Sequence, residues 1–404
     1  MKEVKRSDFP LLENNPNLIY LDSAATSVKP IQVINKINEY YESYGVNIHR
    51  GVYDLSSTAT DHYEQTRNVV AKFINCLPKE VVYTKGTTDG LNKLAYMYED
   101  LINDNDEIIV SELDHHSCVM PWQYIAKRKK AKLVYIPLDE NNKITVENFK
   151  KVINDKTKIV SLTYVSNVLG VISPVKEITK IAHEYGAVVI VDGAQAVPHM
   201  KIDVKDLDID FLAFSGHKML APTGTGILYG KYKLLNNLKP IEYGGDMNDG
   251  VELYESTFKD APEKFEAGTQ NIEGVIAFQE AIKYLDNLGM NEVHNHSLEL
   301  AKYVVENVKH NELLDLYTKN PESGIVTFNI KGIHPHDAAT FFASKNICVR
   351  AGHHCAQLIT KRLGCMGTVR ASFYVYNTLE DAKELVKAIN EACDYFKEWV
   401  IWIQ

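Results

Sequence analysis

The sequence is poor in cysteine, and its cysteines show no recognised pairing pattern. Only six of the 404 residues are cysteines, with no C-x-x-C pair and no cysteine–histidine ladder of zinc-finger spacing. We therefore expect no disulfide framework. Most of these thiols should be small buried groups, so any thiol assigned to chemistry needs a specific local argument.

Long hydrophobic runs and an excess of basic charge are also missing. The longest runs of buried type, such as 187–191, are far too short to cross a bilayer, and the first ten residues are charged. The net charge is −9, and the densest basic run, 127–132, is the expected end of a solvated helix. We predict a cytoplasmic protein with no membrane segment and no nucleic-acid partner.

The order of apolar segments predicts an α/β protein with two domains. A chain of 404 residues exceeds the size at which one hydrophobic core stops growing. Between about residues 80 and 230, β-branched runs alternate with amphipathic stretches, which is typical of a mostly parallel sheet covered by helices. After about residue 290 the pattern changes, which indicates a smaller α/β domain.

The predicted elements also indicate where ligands bind, because ligands of open α/β sheets lie beyond the carboxyl ends of the strands. In the large domain we predict strands at 81–84, 107–111, 158–165, 187–192, 210–215 and 226–230, and helices that begin at Asp89, Pro121 and Val175. In the smaller domain we predict a helix at 297–309, strands at 325–330, 346–350 and 370–376, and helices that begin at His336 and Leu379.

Three groups of residues at predicted strand ends have chemistry that indicates ligand binding. An enclosed lysine such as Lys218 has a lowered pKa and can form a Schiff base. Asp192 ends an apolar strand, where a carboxylate is costly to bury unless a cation such as a pyridinium pairs with it. Residues 86–88 offer N–H groups, hydroxyls and a helix dipole to a phosphate. A surface lysine, a turn aspartate and a plain threonine N-cap are the ordinary alternatives.

Two histidine pairs, at 115–116 and 353–354, raise the question of a metal site. Adjacent side chains rarely point the same way, and no carboxylate or third histidine lies at helical spacing from the first pair. We predict no metal. Cys355 follows the second pair in a glycine-bounded loop, which suits a mobile nucleophile in a positive environment.

The motifs that contain these residues resemble one family. S-G-H-K-M at 215–219, V-D-G-A-Q-A at 191–196, D-H-H at 114–116 and R-A-G-H-H-C-A-Q at 350–357 resemble the Suf-type (group II) cysteine desulfurases, in the class V aminotransferase branch of fold-type I pyridoxal-phosphate enzymes. Further matches at 20–27, 49–52, 166–170, 266–269 and 369–372 follow in the right order along almost the whole chain.

The resemblance implies a fold and a domain plan. It implies a large domain, 19–290, with a mostly parallel seven-stranded sheet between helices, which binds the cofactor. It implies a small C-terminal α/β domain, 291–404, that carries the nucleophile loop. An N-terminal segment, 1–18, is expected to pack with the small domain.

The resemblance also implies a reaction: L-cysteine yields L-alanine and a persulfide on Cys355, with pyridoxal 5'-phosphate as cofactor. Lys218 would form the Schiff base with the cofactor, Asp192 would pair with its pyridine nitrogen, and His115 would stack on its ring. The other expected contacts are Gln195 to the phenolic oxygen, Thr87, Thr88, Ser215 and His217 to the phosphate, Thr269 from the second subunit of a homodimer, and Asn167, Arg350 and Arg370 to the substrate, with Asn167 also near the cofactor.

A protein that accepts the sulfur is the further implied partner. In H-P-H-D at 334–337, His336 resembles a residue that takes over the zinc site of a small scaffold-like acceptor and frees its cysteine thiolate. A capping or packing role is the alternative. Iron–sulfur cluster assembly is the expected destination, and tRNA thiolation and thio-cofactors begin with the same persulfide.

Some alternatives stay open at this point. Selenocysteine lyase and a non-catalytic scaffold of a sulfur-assembly complex are the competing functions, and Arg350 has a structural role as its alternative. Tyr53 stands where the family often has a histidine, and Leu358 replaces a usual proline. Cys365 is an extra thiol, which either receives sulfur or is a packed residue of the protein interior.

Overall fold

The computed structural model describes the backbone of residues 3–403 and the side chains of residues 3–397. The α-helices are α1 (Pro10–Glu13), α2 (Ile31–Glu39), α3 (Asp54–Ile74), α4 (Thr87–Glu99), α5 (His116–Lys129), α6 (Val146–Lys150), α7 (Val175–Glu184), α8 (Val204–Leu207), α9 (Tyr232–Asn237), α10 (Ile272–Leu288), α11 (Met290–Val308), α12 (Pro335–Ser344), α13 (Gln357–Arg362) and α14 (Leu379–Ile403). The strands are β1 (Ile19–Tyr20), β2 (Val81–Thr84), β3 (Glu107–Ser111), β4 (Lys132–Ile136), β5 (Thr157–Thr163), β6 (Val188–Asp192), β7 (Phe211–Ser215), β8 (Gly226–Gly230), β9 (Asn248–Val251), β10 (Ser256–Phe258), β11 (Leu314–Leu316), β12 (Ile325–Ile330), β13 (Ile347–Cys348), β14 (Arg350–Gly352) and β15 (Thr368–Ser372).

The large sheet has seven strands in the order β2-β8-β7-β6-β5-β3-β4. Strands β3 to β7 pair in parallel, and β8 runs antiparallel to both β7 and β2. This confirms the predicted mostly parallel seven-stranded sheet. Successive side chains of β6 point to opposite faces, so that Val189 and Val191 enter one core and Ile190 enters the other.

Helices cover both faces of this sheet. Side chains of α3, α7 and α10 pack into the core on one face, and side chains of α4 and α5 pack into the core on the other. Because both faces are buried, each strand is nearly continuous in apolar residues. The polar residues that function requires are therefore confined to the loops at the carboxyl ends of the strands.

A second, four-stranded antiparallel sheet has the order β11-β12-β15-β14. Helices α11, α12 and α14 cover it, with Leu300, Phe342 and Leu385 in the shared core. Strand β1 pairs in parallel with β13, and the Phe9 ring contacts the rings of Tyr284 and Tyr376. The domain division into 1–18, 19–290 and 291–404 stays a prediction.

Several element boundaries differ from the sequence predictions. Helix α5 begins at His116 and not at Pro121, because the His115 side chain caps it by accepting from the N–H of Ser117. Helices α4, α11 and α12 also begin earlier than predicted. The sequence analysis did not include strand β4, which lies half-exposed at the sheet edge although Leu133 to Ile136 form a continuous apolar run.

The starts of α7 and α14 and the bounds of β12 are confirmed. The strand predicted at 346–350 is two elements, because β13 pairs with β1 and β14 pairs with β15. The strand predicted at 370–376 ends at Ser372. In the part of the chain that the structure describes, no helix is long and apolar enough to cross a membrane.

Candidate active site

A cavity of about 250 Å³ lies at the carboxyl ends of β3, β5, β6 and β7, with one wall from the small sheet and the loop before α13. It brings together residues that are far apart in the sequence. The predicted site residues that line it are Thr87, Thr88, His115, Asn167, Asp192, Gln195, Ser215, His217, Lys218, Arg350, Cys355 and Arg370.

Two predicted site residues lie outside this cavity. Thr269 is exposed and lines a neighbouring pocket together with His49 and Glu266. His336 is exposed on the first turn of α12, where its N–H donates to Nδ1 of His334 at 3.3 Å. The roles expected for Thr269 and His336 stay predictions.

Lys218 ends a 3₁₀ turn that directly follows β7. The turn is held by the backbone oxygen of His217, which accepts from the N–H of Ser27 at 2.9 Å and from Nζ of Lys29 at 3.1 Å. Lys218 faces the cavity, but the surrounding protein desolvates its ammonium form. Burial lowers the pKa of Lys218 to about 8, although nearby Asp192 opposes the shift. The neutral amine is therefore readily accessible near neutral pH.

Asp192 is the last residue of β6 and is only 3% exposed. Its Oδ1 accepts from the N–H of Ala194 at 2.9 Å, and it forms no ion pair with another described residue. Burial raises the pKa of Asp192, and the Ala194 hydrogen bond and Lys218 oppose the rise. A buried carboxylate without a cation is costly, so this position suits a protonated nitrogen.

His115 is the N-cap of α5 and contacts the cavity with its ring. Its Nδ1 lies 2.6 Å from Oγ of Ser117 and accepts from the Ser117 N–H at 3.1 Å. Burial, together with Lys218, lowers the pKa of His115 to about 3. The lowered pKa favours the neutral ring at neutral pH, and its flat face suits contact with a cofactor ring.

The turn before α4 and the end of β7 together form a polar cradle at the cavity. The N–H of Thr87 donates to Oγ of Ser215 at 2.7 Å, and the two hydroxyls lie 2.8 Å apart. Gly86 has φ of +146°, and a Cβ there would lie 3.0 Å from Oγ of Ser215. Thr88 and His217 also line the cavity, and the hydroxyls, N–H groups and helix dipole at the start of α4 suit an anion such as a phosphate.

Arg370 lies on the opposite wall and is fully buried. Its Nη1 donates to the backbone oxygen of Asn167 at 2.8 Å, and its Nη2 donates to Oδ1 of Asp22 at 3.2 Å. Asp22 also accepts from Nε of Arg350 at 3.2 Å. Nε of Arg370 is one of the buried polar atoms without a partner among the described residues, so its fork retains capacity for a carboxylate.

Cys355 is an exposed free thiol at the mouth of the cavity. His354, the residue before it, is held by one backbone contact and one side-chain contact. Nδ2 of Asn167 donates to the His354 carbonyl oxygen at 2.6 Å, and Nε2 of His354 lies 2.8 Å from Oγ1 of Thr368. Asn167 therefore contacts both Arg370 and the loop that carries Cys355.

Comparison with known proteins gives consistent matches along the chain. The model of the aminotransferase class V family matches residues 19–385. The chain belongs to this family. A probable cysteine desulfurase of Staphylococcus epidermidis is 51% identical over 396 residues, which covers 96% of each chain.

Two solved structures are also similar to this chain along almost their whole length. The apo structure of a cysteine desulfurase from Thermococcus onnurineus NA1 has a TM-score of 0.93 and 38% identity, and the match covers 98% of this chain and all of that one. The cysteine desulfurase CsdA of Escherichia coli has a TM-score of 0.91 and 37% identity, covering 96% of this chain and 98% of that one. The predicted class V, fold-type I architecture is confirmed.

Asp22 and His116 contact residues of the site, and neither was predicted from the sequence to have a role there. Asp22 follows the short apolar run of β1, in the same position relative to a strand as the assigned polar residues, so its signal was present. His116 contacts the Cys355 loop, and no sequence pattern indicates that contact. Among the described residues, no group of three His, Cys, Asp or Glu is arranged to hold a metal ion.

Proposed function

We propose that this chain is a pyridoxal-phosphate-dependent cysteine desulfurase of the Suf type. The observation that carries the proposal is the position of Cys355, whose exposed thiol lines the same cavity as Lys218 and Asp192. A lysine and a buried carboxylate alone suit many reactions of amino acids, and the added thiol selects sulfur transfer. The same activity is named for relatives and solved structures that match nearly the whole chain.

Pyridoxal phosphate fits the residues present. Asp192 lacks a cation, Oε1 of Gln195 is buried without a partner among the described residues, and the Thr87–Ser215 cradle suits a phosphate. Lys218 would bind the aldehyde carbon with loss of the aldehyde oxygen as water, Asp192 would pair with the pyridine nitrogen, Gln195 would contact the phenolic oxygen, and His115 would contact the ring face. When bound, the cofactor would supply an electron sink for the electron pair released at the substrate carbon.

Different residues of the chain bind the substrate amino acid and move its proton. The Arg370 fork, aligned by Asp22, binds and orients the substrate carboxylate. Arg350, which shares Asp22, adds positive charge at the mouth of the cavity, and Asn167 stands between the arginine and the thiol loop. Once the substrate amine has replaced it on the aldehyde carbon, the freed Nζ of Lys218, with its lowered pKa, removes a proton from the substrate and returns it as general acid.

The sulfur moves to Cys355 in one displacement. The Sγ thiolate of Cys355 attacks the sulfur of L-cysteine, so that an S–S bond forms as the carbon–sulfur bond breaks. The electron pair of the broken bond stays with the carbon skeleton, which takes up a proton and leaves as L-alanine. L-cysteine and one thiol thus give L-alanine and one persulfide, without an external oxidant or reductant.

The expected partners complete the proposal. Thr269, exposed and outside this chain's own cavity, would reach the phosphate of the second subunit in a homodimer. A protein acceptor, in this proposal a small zinc-bound protein that His336 engages, would take the sulfur toward iron–sulfur cluster assembly. All six cysteines are free thiols, which suits a reducing compartment such as the cytoplasm.

Measuring the products formed from L-cysteine tests the function. We expect alanine without pyruvate, and one persulfide per subunit when no acceptor is present. Pyruvate or free sulfide in place of the persulfide would indicate elimination and contradict the proposal. The ratio of kcat/KM for L-cysteine and L-selenocysteine then separates a desulfurase from a selenocysteine lyase.

A further inference from the structure

His116 is the first residue of α5 and contacts the segment 355–357 twice. Its backbone N–H donates to the Cys355 carbonyl oxygen at 2.7 Å. Its imidazole Nε2 accepts from the backbone N–H of Gln357 at 3.0 Å. One residue of a large-domain helix therefore holds both ends of the short segment that begins with the thiol.

The backbone at the thiol is in a conformation that needs such support. φ is +52° at His354 and +56° at Cys355, in the left-handed region that is unfavourable for residues with a Cβ. Backbone of this kind persists where the surrounding structure fixes it. Asn167 holds the His354 carbonyl, and His116 holds the Cys355 carbonyl.

The imidazole also completes the start of a helix. Gln357 is the first residue of α13, and the preceding Ala356 has no side chain that could cap the helix. The first N–H groups of a helix have no acceptor inside it, and Nε2 of His116 satisfies one of them. Burial, and then the neighbouring His353, lower the pKa of His116, which favours the neutral imidazole that this bond requires.

We propose that His116 is a positioning residue for sulfur transfer, which fixes the Cys355–Gln357 segment against α5 so that the thiol faces the cavity. This inference deepens the proposed function and rests on it, because it takes Cys355 as the sulfur-receiving thiol. It also separates the two histidines of the D-H-H motif. His115 faces the cavity, and His116 faces the nucleophile loop.

Three substitutions separate the two contacts. His116→Ala removes the imidazole acceptor and keeps the N–H. His116→Pro removes both, at the first helical position, where proline is tolerated. His116→Gln places a carbonyl oxygen within reach of the Gln357 N–H. Gln123→Ala is the control, since Gln123 lies on the same helix and its side chain donates to the hydroxyl of Tyr135, at 3.1 Å, away from the Cys355 segment.

Two measurements on the holoenzyme test the proposal. Hydrogen exchange at the Gln357 amide should be about fivefold faster in His116→Ala, as for one lost hydrogen bond. It should be faster still in His116→Pro and near wild type in His116→Gln and Gln123→Ala. The kcat for alanine formation should fall in the same order, while KM for cysteine and the cofactor absorbance stay within about twofold.

The outcomes are distinguishable. Wild-type exchange and kcat in His116→Pro would overturn the positioning role, and so would a loss of kcat that His116→Gln does not restore. Alanine formation at the wild-type rate by Cys355→Ser would overturn the proposed function instead, whatever the exchange data show.

Discussion

The guanidinium of Arg67, on α3, binds both carboxylate oxygens of Glu266 in the protein interior. Nη1 lies 2.9 Å from Oε1 and Nη2 lies 3.0 Å from Oε2, and both side chains are buried. Oε1 of Glu266 also accepts from the Tyr83 N–H at 2.8 Å. The pair thus ties α3 and β2 to the segment that carries Thr269, three residues further along the chain.

We predict that Glu266→Ala destabilises the protein, because it removes the buried carboxylate that binds both Nη atoms of Arg67 and leaves only the half-exposed Glu64, 2.9 Å from Nε, as counter-charge among the described residues. Losing every counter-charge of a buried ion costs about 3–5 kcal/mol, so with Glu64 retained we expect a cost below that range. Urea unfolding at fixed protein concentration and cofactor loading measures it. Glu380→Ala, which breaks the exposed pair with Lys383, is the control and should leave the midpoint unchanged. Equal midpoints for the two variants would contradict the prediction.

Lys218→Ala should abolish both the Schiff-base absorbance near ~420 nm and the turnover of L-cysteine. The substitution removes the amine that binds the aldehyde and the base that moves the substrate proton. Absorbance spectra and alanine assays measure the two losses. Lys85→Ala is a matched control, since Lys85 is exposed beside the phosphate cradle. Alanine formation by the Lys218 variant would show that the assignment is wrong.

Cys355→Ser should keep the cofactor spectrum and lose both persulfide and alanine formation, because a hydroxyl is a poor nucleophile toward sulfur. Mass spectrometry of the intact protein after cysteine addition detects the persulfide. Cys365→Ser is the control. Cys365 is half-buried with its Sγ 3.5 Å from the Thr360 carbonyl oxygen, and we expect it to retain activity. Persulfide on Cys365 in the Cys355 variant would move the nucleophile there.

The pH dependence of cofactor binding should reflect the lowered pKa of Lys218, about 8. Only the neutral amine attacks an aldehyde, so association of pyridoxal phosphate with the apoprotein should accelerate as the pH rises. The rate should rise about tenfold from pH 6 to pH 7 and level off above pH 8. Stopped-flow absorbance measures it. A rise that continues to pH 10 would indicate a lysine with an ordinary pKa.

His336→Ala should reduce the stimulation that a small zinc-bound acceptor gives, because neutral imidazole is a good zinc ligand that can displace a cysteine thiolate. The measured quantity is the ratio of alanine formation with and without the acceptor. His310→Ala, an exposed histidine elsewhere in the small domain, is the control. Equal ratios in both variants would remove His336 from the transfer step.

The large sheet was predictable because parallel strands buried on both faces must be apolar along their whole length. Strands such as β6 and β7 therefore stand out in the sequence, and the polar residues that follow them identify the site. Strand β4 was missed although its run Leu133 to Ile136 is as apolar as those of the predicted strands, so its signal was present in the sequence. The early start of α5 was missed because its cap is a histidine, which is not among the usual N-cap residues.

The sequence by itself determined the alternation of strands and helices, the family motifs and the residue types at each strand end. Those features depend on local apolar patterning and on short segments of chain. Only the tertiary structure decided that Asp22 aligns Arg350 and Arg370, and that His116 holds the Cys355 loop. These contacts join segments hundreds of residues apart, and packing and burial, which no local pattern encodes, set both their distances and the lowered pKa of Lys218.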